Sequence, residues 1–294
     1  MSINWEEHIE LRTLRENLET RFTESVFLGG RNYSKVFQLI NHDAHRSYVL
    51  KVLNMNRLMK LGLEERKEIL LRFVKEAGIY KALNHPNVVK TYEINRKDNF
   101  PYLLMEFVDG KNLDELLAER GVLEFKEILR ISRAILSALG YIHKKGLVHG
   151  YLKPSNIIVE SYDGGRCVIV DFGIVKNPLS LPLTTKGITI GVPHYMAPEQ
   201  WRSAETETLW TDIYTFGILL FKMVTGEVPF DGSLPEIMAA HFAMPIPRIQ
   251  KKKPNVSLGI QEIIEKAMAK KPEDRYNSTG DFLNDLLDLE NPMR

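Results

Sequence analysis

The sequence predicts an α+β protein of two unequal lobes, and three observations predict it. Short β-type runs crowd the first third of the chain, stretches with apolar residues at spacings of three and four dominate the remainder, and the two regimes follow one another instead of alternating. At 294 residues the chain is long enough for two modest lobes, each with a core of its own.

Each element has a local cause. Within residues 5–22, Leu11, Leu14, Leu18 and Phe22 recur at helical spacing with Glu and Arg between them, which predicts an amphipathic helix. Its stripe either packs on its own domain or docks a partner, and the first is the commoner use; residues 1–25 are read as an N-terminal helical extension. Residues 36–40 and 48–53 read as strands, separated by the turn-like segments Gly29-Gly30-Arg31-Asn32 and Asn41-His42-Asp43. From 64 to 83, Ile69, Phe73, Ala77 and Tyr80 mark one long helix, stopped by Asn84-His85-Pro86-Asn87. Two more strands, at 88–94 and 102–108, end at Asp109-Gly110. Helices are then expected at 112–120, 124–145, 209–225, 259–270 and 280–289. The expected organisation is a small β-rich lobe over 26–105 with one long helix, a hinge at 106–111 and a larger, mainly helical lobe over 112–294.

Composition excludes several classes. Hydrophobic residues at 44% and charged residues at 26% are ordinary for a globular protein and far from disordered or collagenous chains. Thirty-nine Lys and Arg against 38 Asp and Glu give +1, so no overall field draws the chain to nucleic acid or an anionic membrane. No apolar run approaches the ~20 residues of a membrane span, and the acidic N-terminus has no signal-peptide pattern, so an intracellular, cytoplasmic protein is expected. The single cysteine, Cys167, fits a reducing compartment and lies on an apolar run as a small core residue. The eight histidines show no paired metal-ligand spacing.

The chemistry lies in a series of short motifs. Leu28-Gly29-Gly30-Arg31-Asn32-Tyr33-Ser34-Lys35-Val36 comes first, then Val49-Leu50-Lys51 on a strand, Glu76 on the long helix and Met105-Glu106-Phe107-Val108. His149-Gly150-Tyr151-Leu152-Lys153-Pro154-Ser155-Asn156, Asp171-Phe172-Gly173, Ala197-Pro198-Glu199, Asp212 and Arg275 follow. In this order they resemble the protein kinase family over about residues 24–290, closest to its serine/threonine type.

The resemblance implies a bilobal kinase-like fold and a role for each residue. Lys51 would meet the α and β phosphates of ATP and Glu76 would hold its ammonium. Asn156 and Asp171 would supply oxygen ligands to Mg²⁺. Gly29 would let the backbone approach the phosphates, Glu106 and Val108 would pair with adenine, and Met105, Val36 and Ile158 would enclose it. Lys153 is the catalytic-loop cation, Glu199 with Arg275 the large-lobe ion pair, and Asp212 the buried anchor of a helix.

Three departures bear on activity. The family's catalytic loop reads His-Arg-Asp, and here the Asp position is Tyr151; a tyrosine phenol ordinarily ionises only at about pH 10, so near neutrality it is a donor and not a base. Gly150 replaces the Arg that pairs with a phosphorylated activation loop, which deprives Thr184, Thr185 and Thr189 of that partner. Arg31 in the phosphate loop and Val49 above the adenine crowd the nucleotide. Together they point to a pseudokinase that holds Mg·ATP weakly and acts through a protein partner, the alternative being a low-activity serine/threonine kinase with a protein substrate.

Overall fold

The computed structural model describes residues 8–31, 33–41, 45–95, 100–161, 164–171, 193–202, 207–251, 253–254 and 256–290, without the side chains of Asn17, Arg31, Arg72 and Glu76. The chain divides into two compact units, residues 1–108 and 109–294.

The first unit is an antiparallel sheet of five strands in the order β1-β2-β3-β5-β4, formed by β1 (Glu24–Arg31), β2 (Ser34–Asn41), β3 (Arg46–Leu53), β4 (Thr91–Asn95) and β5 (Tyr102–Glu106). Helix α1 (Ile9–Leu18) lays Leu11, Leu14, Leu18 and Phe22 against Phe37, Leu39, Leu50, Val52, Tyr102 and Leu104 in one buried cluster. The N-terminal stripe therefore packs on its own domain. A polar clamp fixes it there: Glu10, 1% exposed, accepts from Lys35 Nζ at 2.8 Å and from the Met55 backbone N–H at 2.9 Å, at the start of the one-turn helix α2 (Met55–Leu58). Strand alternation sets Lys51 on the face opposite Leu50 and Val52. There helix α3 (Leu63–Ala82) buries Ile69, Phe73, Ala77 and Tyr80.

One expectation is corrected here. Gly29, Gly30 and Arg31 are not a turn: they remain in β1, paired with Val36, Lys35 and Ser34, after an irregularity between Phe27 and Gly29 where Gly29 takes φ +138°. A glycine absorbs that bulge without strain, so the strand continues to the hairpin tip.

The second unit opens with a three-stranded sheet, β6 (Gly110–Asn112), β7 (Ile157–Glu160) and β8 (Cys167–Ile169), packed by α5 (Phe125–Lys144). Asn112 caps α4 (Leu113–Arg120) in a reciprocal capping box with Glu115. Helix α6 (Leu209–Thr225) is buried at every residue from Thr211 to Phe221, as a helix apolar on all sides must be. Helix α7 (Leu234–Ala243) was not expected from periodicity; Ser233 and Glu236 start it with a capping box. Helix α8 (Leu258–Ala267) stops short of 270, because Arg275 takes the following carbonyls, of Ala269 at 2.8 Å and Lys270 at 3.3 Å, and Pro272 blocks continuation. Helix α9 (Thr279–Asp288) closes the unit against α5.

Candidate functional site

The loop between α5 and β7 is organised around one buried carboxylate. Asp212, in the first turn of α6 and 0% exposed, accepts from the backbone N–H groups of His149 (2.9 Å) and Gly150 (2.7 Å), and its Oδ2 lies 2.7 Å from His143 Nε2. Burial pushes its pKa up, but the hydrogen bond from His143, the nearby imidazoles and the Gly150 N–H more than offset this and hold it below the usual carboxylate range. Gly150 sits at φ +63°, the left-handed region where a side chain is disfavoured. Its carbonyl accepts from Gln200 Nε2 at 2.9 Å, and the same amide nitrogen reaches Glu207 Oε1 at 2.9 Å while Gln200 Oε1 accepts from the Ala197 N–H.

That backbone presents the next residues. Lys153, a buried cation, donates to Tyr151 Oη at 3.3 Å and stands 4.5 Å from the centroid of its ring. The Tyr151 N–H donates to His149 Nδ1 at 3.2 Å. Asn156, also buried, donates through Nδ2 to the carbonyls of Tyr151 (3.1 Å) and Asp171 (3.3 Å). The amide nitrogen is thus committed to the loop, and the oxygen is the end of the side chain that suits a hard cation. Ile158 on β7 is held in register between Asn112 and Val168. Phe172, Gly173, Thr184, Thr185 and Thr189 lie outside the described residues.

The first unit carries the other expected residues. Lys51 is 8% exposed on β3, opposite Val36 on β2 and Leu103 on β5, with Nζ 5.9 Å from the Tyr80 ring centroid. Glu76 lies on α3 one turn before Tyr80, and its side chain is outside the described residues. Gly29 and Val36 are cross-strand partners, and Met105 is buried opposite Val49. Glu106 exchanges backbone and side-chain bonds with Lys90, the Glu106 N–H donating to the Lys90 carbonyl at 2.8 Å and Oε2 accepting from the Lys90 N–H at 3.4 Å. Val108, buried, ends the unit.

The Glu199 and Arg275 pair is bidentate, at 2.8 and 2.9 Å, and Arg275 also donates to the Trp210 carbonyl and lies over the Tyr214 ring. Burial raises the Glu199 pKa, yet Arg275 and Thr211 bring it below the usual range. Cys167 is buried, and burial pushes its thiol up to about 11, so it is an unreactive core residue. Among the described residues no group of three or more His, Cys, Asp or Glu side chains is placed to hold a metal ion. None of the described helices is long and apolar enough to cross a membrane.

Sequence reasoning missed Gln200 and the role of His143. Gln200 directly follows the Ala-Pro-Glu motif, and His143 has only its place in the last turn of α5 as a signal.

The protein kinase domain family matches residues 22–286. A probable serine/threonine-protein kinase of Clostridium acetobutylicum is 32% identical over 275 residues, covering 92% of this chain and 40% of that protein. Serine/threonine-protein kinase PrkC of Bacillus subtilis is 33% identical over 260 residues, covering 88% of this chain and 39% of its own length. The chain therefore spans about two fifths of these curated relatives. A crystal structure of Rad53 residues 1–466 in complex with AMP-PNP superposes with a TM-score of 0.69 at 23% identity, over 93% of this chain and 68% of that one, and shares its fold. With the antiparallel sheet of the first unit, the larger helical second unit and the loop anchored on Asp212, this chain belongs to the protein kinase family.

Proposed function

We propose that this chain is a low-activity, Mg·ATP-dependent serine/threonine kinase domain that phosphorylates protein hydroxyls in a reducing compartment. The observation that carries the reading is the amide of Asn156, its nitrogen spent on the Tyr151 and Asp171 carbonyls and its oxygen left as a hard ligand next to a carboxylate residue. A buried lysine on β3, the match to the family and the names of the bacterial relatives support the same reading. Mg²⁺ held by Asn156 and Asp171 would neutralise charge developing on the phosphates. Lys51 would hold the nucleotide as a point charge. Tyr151 is not assigned as a base, because a phenol ordinarily ionises only at about pH 10 and is a donor near neutrality. Transfer then rests on positioning and electrostatics, slower by roughly 10²- to 10⁴-fold than with a base in place.

The reading as a pseudokinase is favoured by one contact, the engagement of the Lys153 ammonium by the Tyr151 ring and hydroxyl. The kinase reading requires nucleotide binding. The test is thermal denaturation with and without Mg·ATP, for the wild type, Lys51→Ala and Asp171→Asn. At ~100 times Kd the wild type should gain about 2.7 kcal/mol, and both variants should lose most of that gain. No shift at millimolar Mg·ATP would overturn the proposal.

A further inference from the structure

Glu10 sits on α1, which precedes residues 22–286, the stretch that the kinase family matches. The apolar stripe of Leu11, Leu14, Leu18 and Phe22 already docks this helix on the sheet. A buried carboxylate adds little net stability to such a contact, because desolvation offsets its attraction to a cation; what it adds is direction. Both partners of Glu10 lie at one end of the sheet. Lys35 is the second residue of β2, opposite Gly30 on β1 and Val52 on β3, and Met55 is the second residue after β3. Beside them the Asn54 N–H donates to the carbonyl of Tyr33, in the turn between β1 and β2, at 2.7 Å. Strand alternation turns Lys35 and Phe37 towards α1 and Val36 to the other face, where its cross-strand partner is Lys51. Glu10 therefore grips, from behind, the end of the sheet that carries Val36 and Lys51. β1 lies tight against β2 there: a Cβ at Gly30 would stand 2.9 Å from the Ser34 carbonyl oxygen, so a shift of β2 carries the glycines with it.

We propose that Glu10 is a positioning residue for nucleotide binding, acting through Lys35 and Met55 on the strands that present Gly29, Gly30 and Lys51. Through Lys35 it fixes the β2 arm of the glycine hairpin, and through the Met55 N–H it fixes the chain just beyond Lys51. This role rests on the reading of the chain as an Mg·ATP-dependent kinase domain, in which the hairpin and Lys51 meet the phosphates. Lys35 stands on the α1 face of β2, away from Lys51, so it reaches the nucleotide only through the strand to which it belongs. The tie between Glu10 and Lys35 is charge-assisted, and its loss shifts the local opening equilibrium of the hairpin by about tenfold.

The experiment compares the full chain with the double variant Glu10→Gln/Lys35→Met. That variant leaves the net charge unchanged and no buried ion unpaired, and its glutamine oxygen still serves as the acceptor for the Met55 N–H. Without nucleotide, amide hydrogen exchange should speed up about tenfold at Gly29, Gly30, Val36 and Lys51 and stay unchanged along α3. Affinity for Mg·ATP, measured by calorimetry, should fall about tenfold. Leu39→Ala, a core change towards the far end of β2, controls for destabilisation alone: it should lower the melting temperature and leave that affinity unchanged. Unchanged exchange at the hairpin, exchange accelerated evenly over the whole first unit, an undiminished affinity in the double variant, or an equal loss of affinity in Leu39→Ala would each overturn the positioning role, while binding by the wild type leaves the kinase reading in place. No binding of Mg·ATP by the wild type would overturn the kinase reading and this role with it.

Discussion

Replacing Asp212 with asparagine keeps the shape of the side chain and removes one acceptor and the negative charge. The carboxylate is fully buried and receives two backbone N–H groups and the His143 ring. An asparagine that keeps its oxygen on the Gly150 N–H turns its NH₂ towards the His149 N–H, and the flipped rotamer strands the Gly150 N–H instead. Either way at least one buried donor loses its acceptor, which costs about 1 to 3 kcal/mol, and the surviving bonds fall from charge-assisted to neutral strength, costing about 1 more. The sum is roughly 3 kcal/mol, or about 6 °C in melting temperature for a chain of this size. Tryptophan fluorescence is a suitable readout, because two of the three tryptophans, Trp201 and Trp210, belong to the second unit. Asp231→Asn, at an exposed carboxylate, serves as the control and should leave the midpoint unchanged. A loss below about 1 kcal/mol for Asp212→Asn would refute the assignment of Asp212 as the loop's anchor.

The remaining predictions concern the same unit. Arg275→Met leaves the partly buried Glu199 without its bidentate partner and should destabilise by about 3 kcal/mol in urea unfolding, part of which Glu199→Gln in the same chain restores. Asp212 and Glu199 both have folded-state pKa values below their unfolded ones, so at acid pH the unfolded chain binds more protons than the folded one. The stability they contribute is complete above the unfolded carboxylate range and is lost as pH falls below about 4 through the folded values, and the acid limb of a stability profile should flatten in Asp212→Asn.

How much was legible in the sequence follows from how each element is stabilised. The stripe of α1, the alternating strands β2 and β3 and the buried face of α3 announce themselves because one period repeats over several turns or pleats. Helix α7 is apolar around most of its circumference and shows no stripe, so only its capping box marked it. The end of α8 depends on Arg275, several residues further on, and the continuation of β1 past the bulge at Gly29 depends on pairing with β2. Lys51, Asn156 and Asp171 were singled out by the order of the motifs, and the nucleotide and metal roles given to them are proposals. The contacts of Gln200 with Gly150 and of Lys153 with Tyr151 were not readable, because they join residues whose pairing depends on the path of the folded loop.

The most direct test of the account is transfer of radiolabelled phosphate from Mg·ATP to a protein substrate by the wild type, Asp171→Asn and Tyr151→Asp. Slow transfer by the wild type should vanish in Asp171→Asn and rise by roughly 10²-fold or more in Tyr151→Asp, where a carboxylate returns to the position of the base. Nucleotide binding without transfer in either the wild type or Tyr151→Asp would contradict the account and leave the pseudokinase reading in its place.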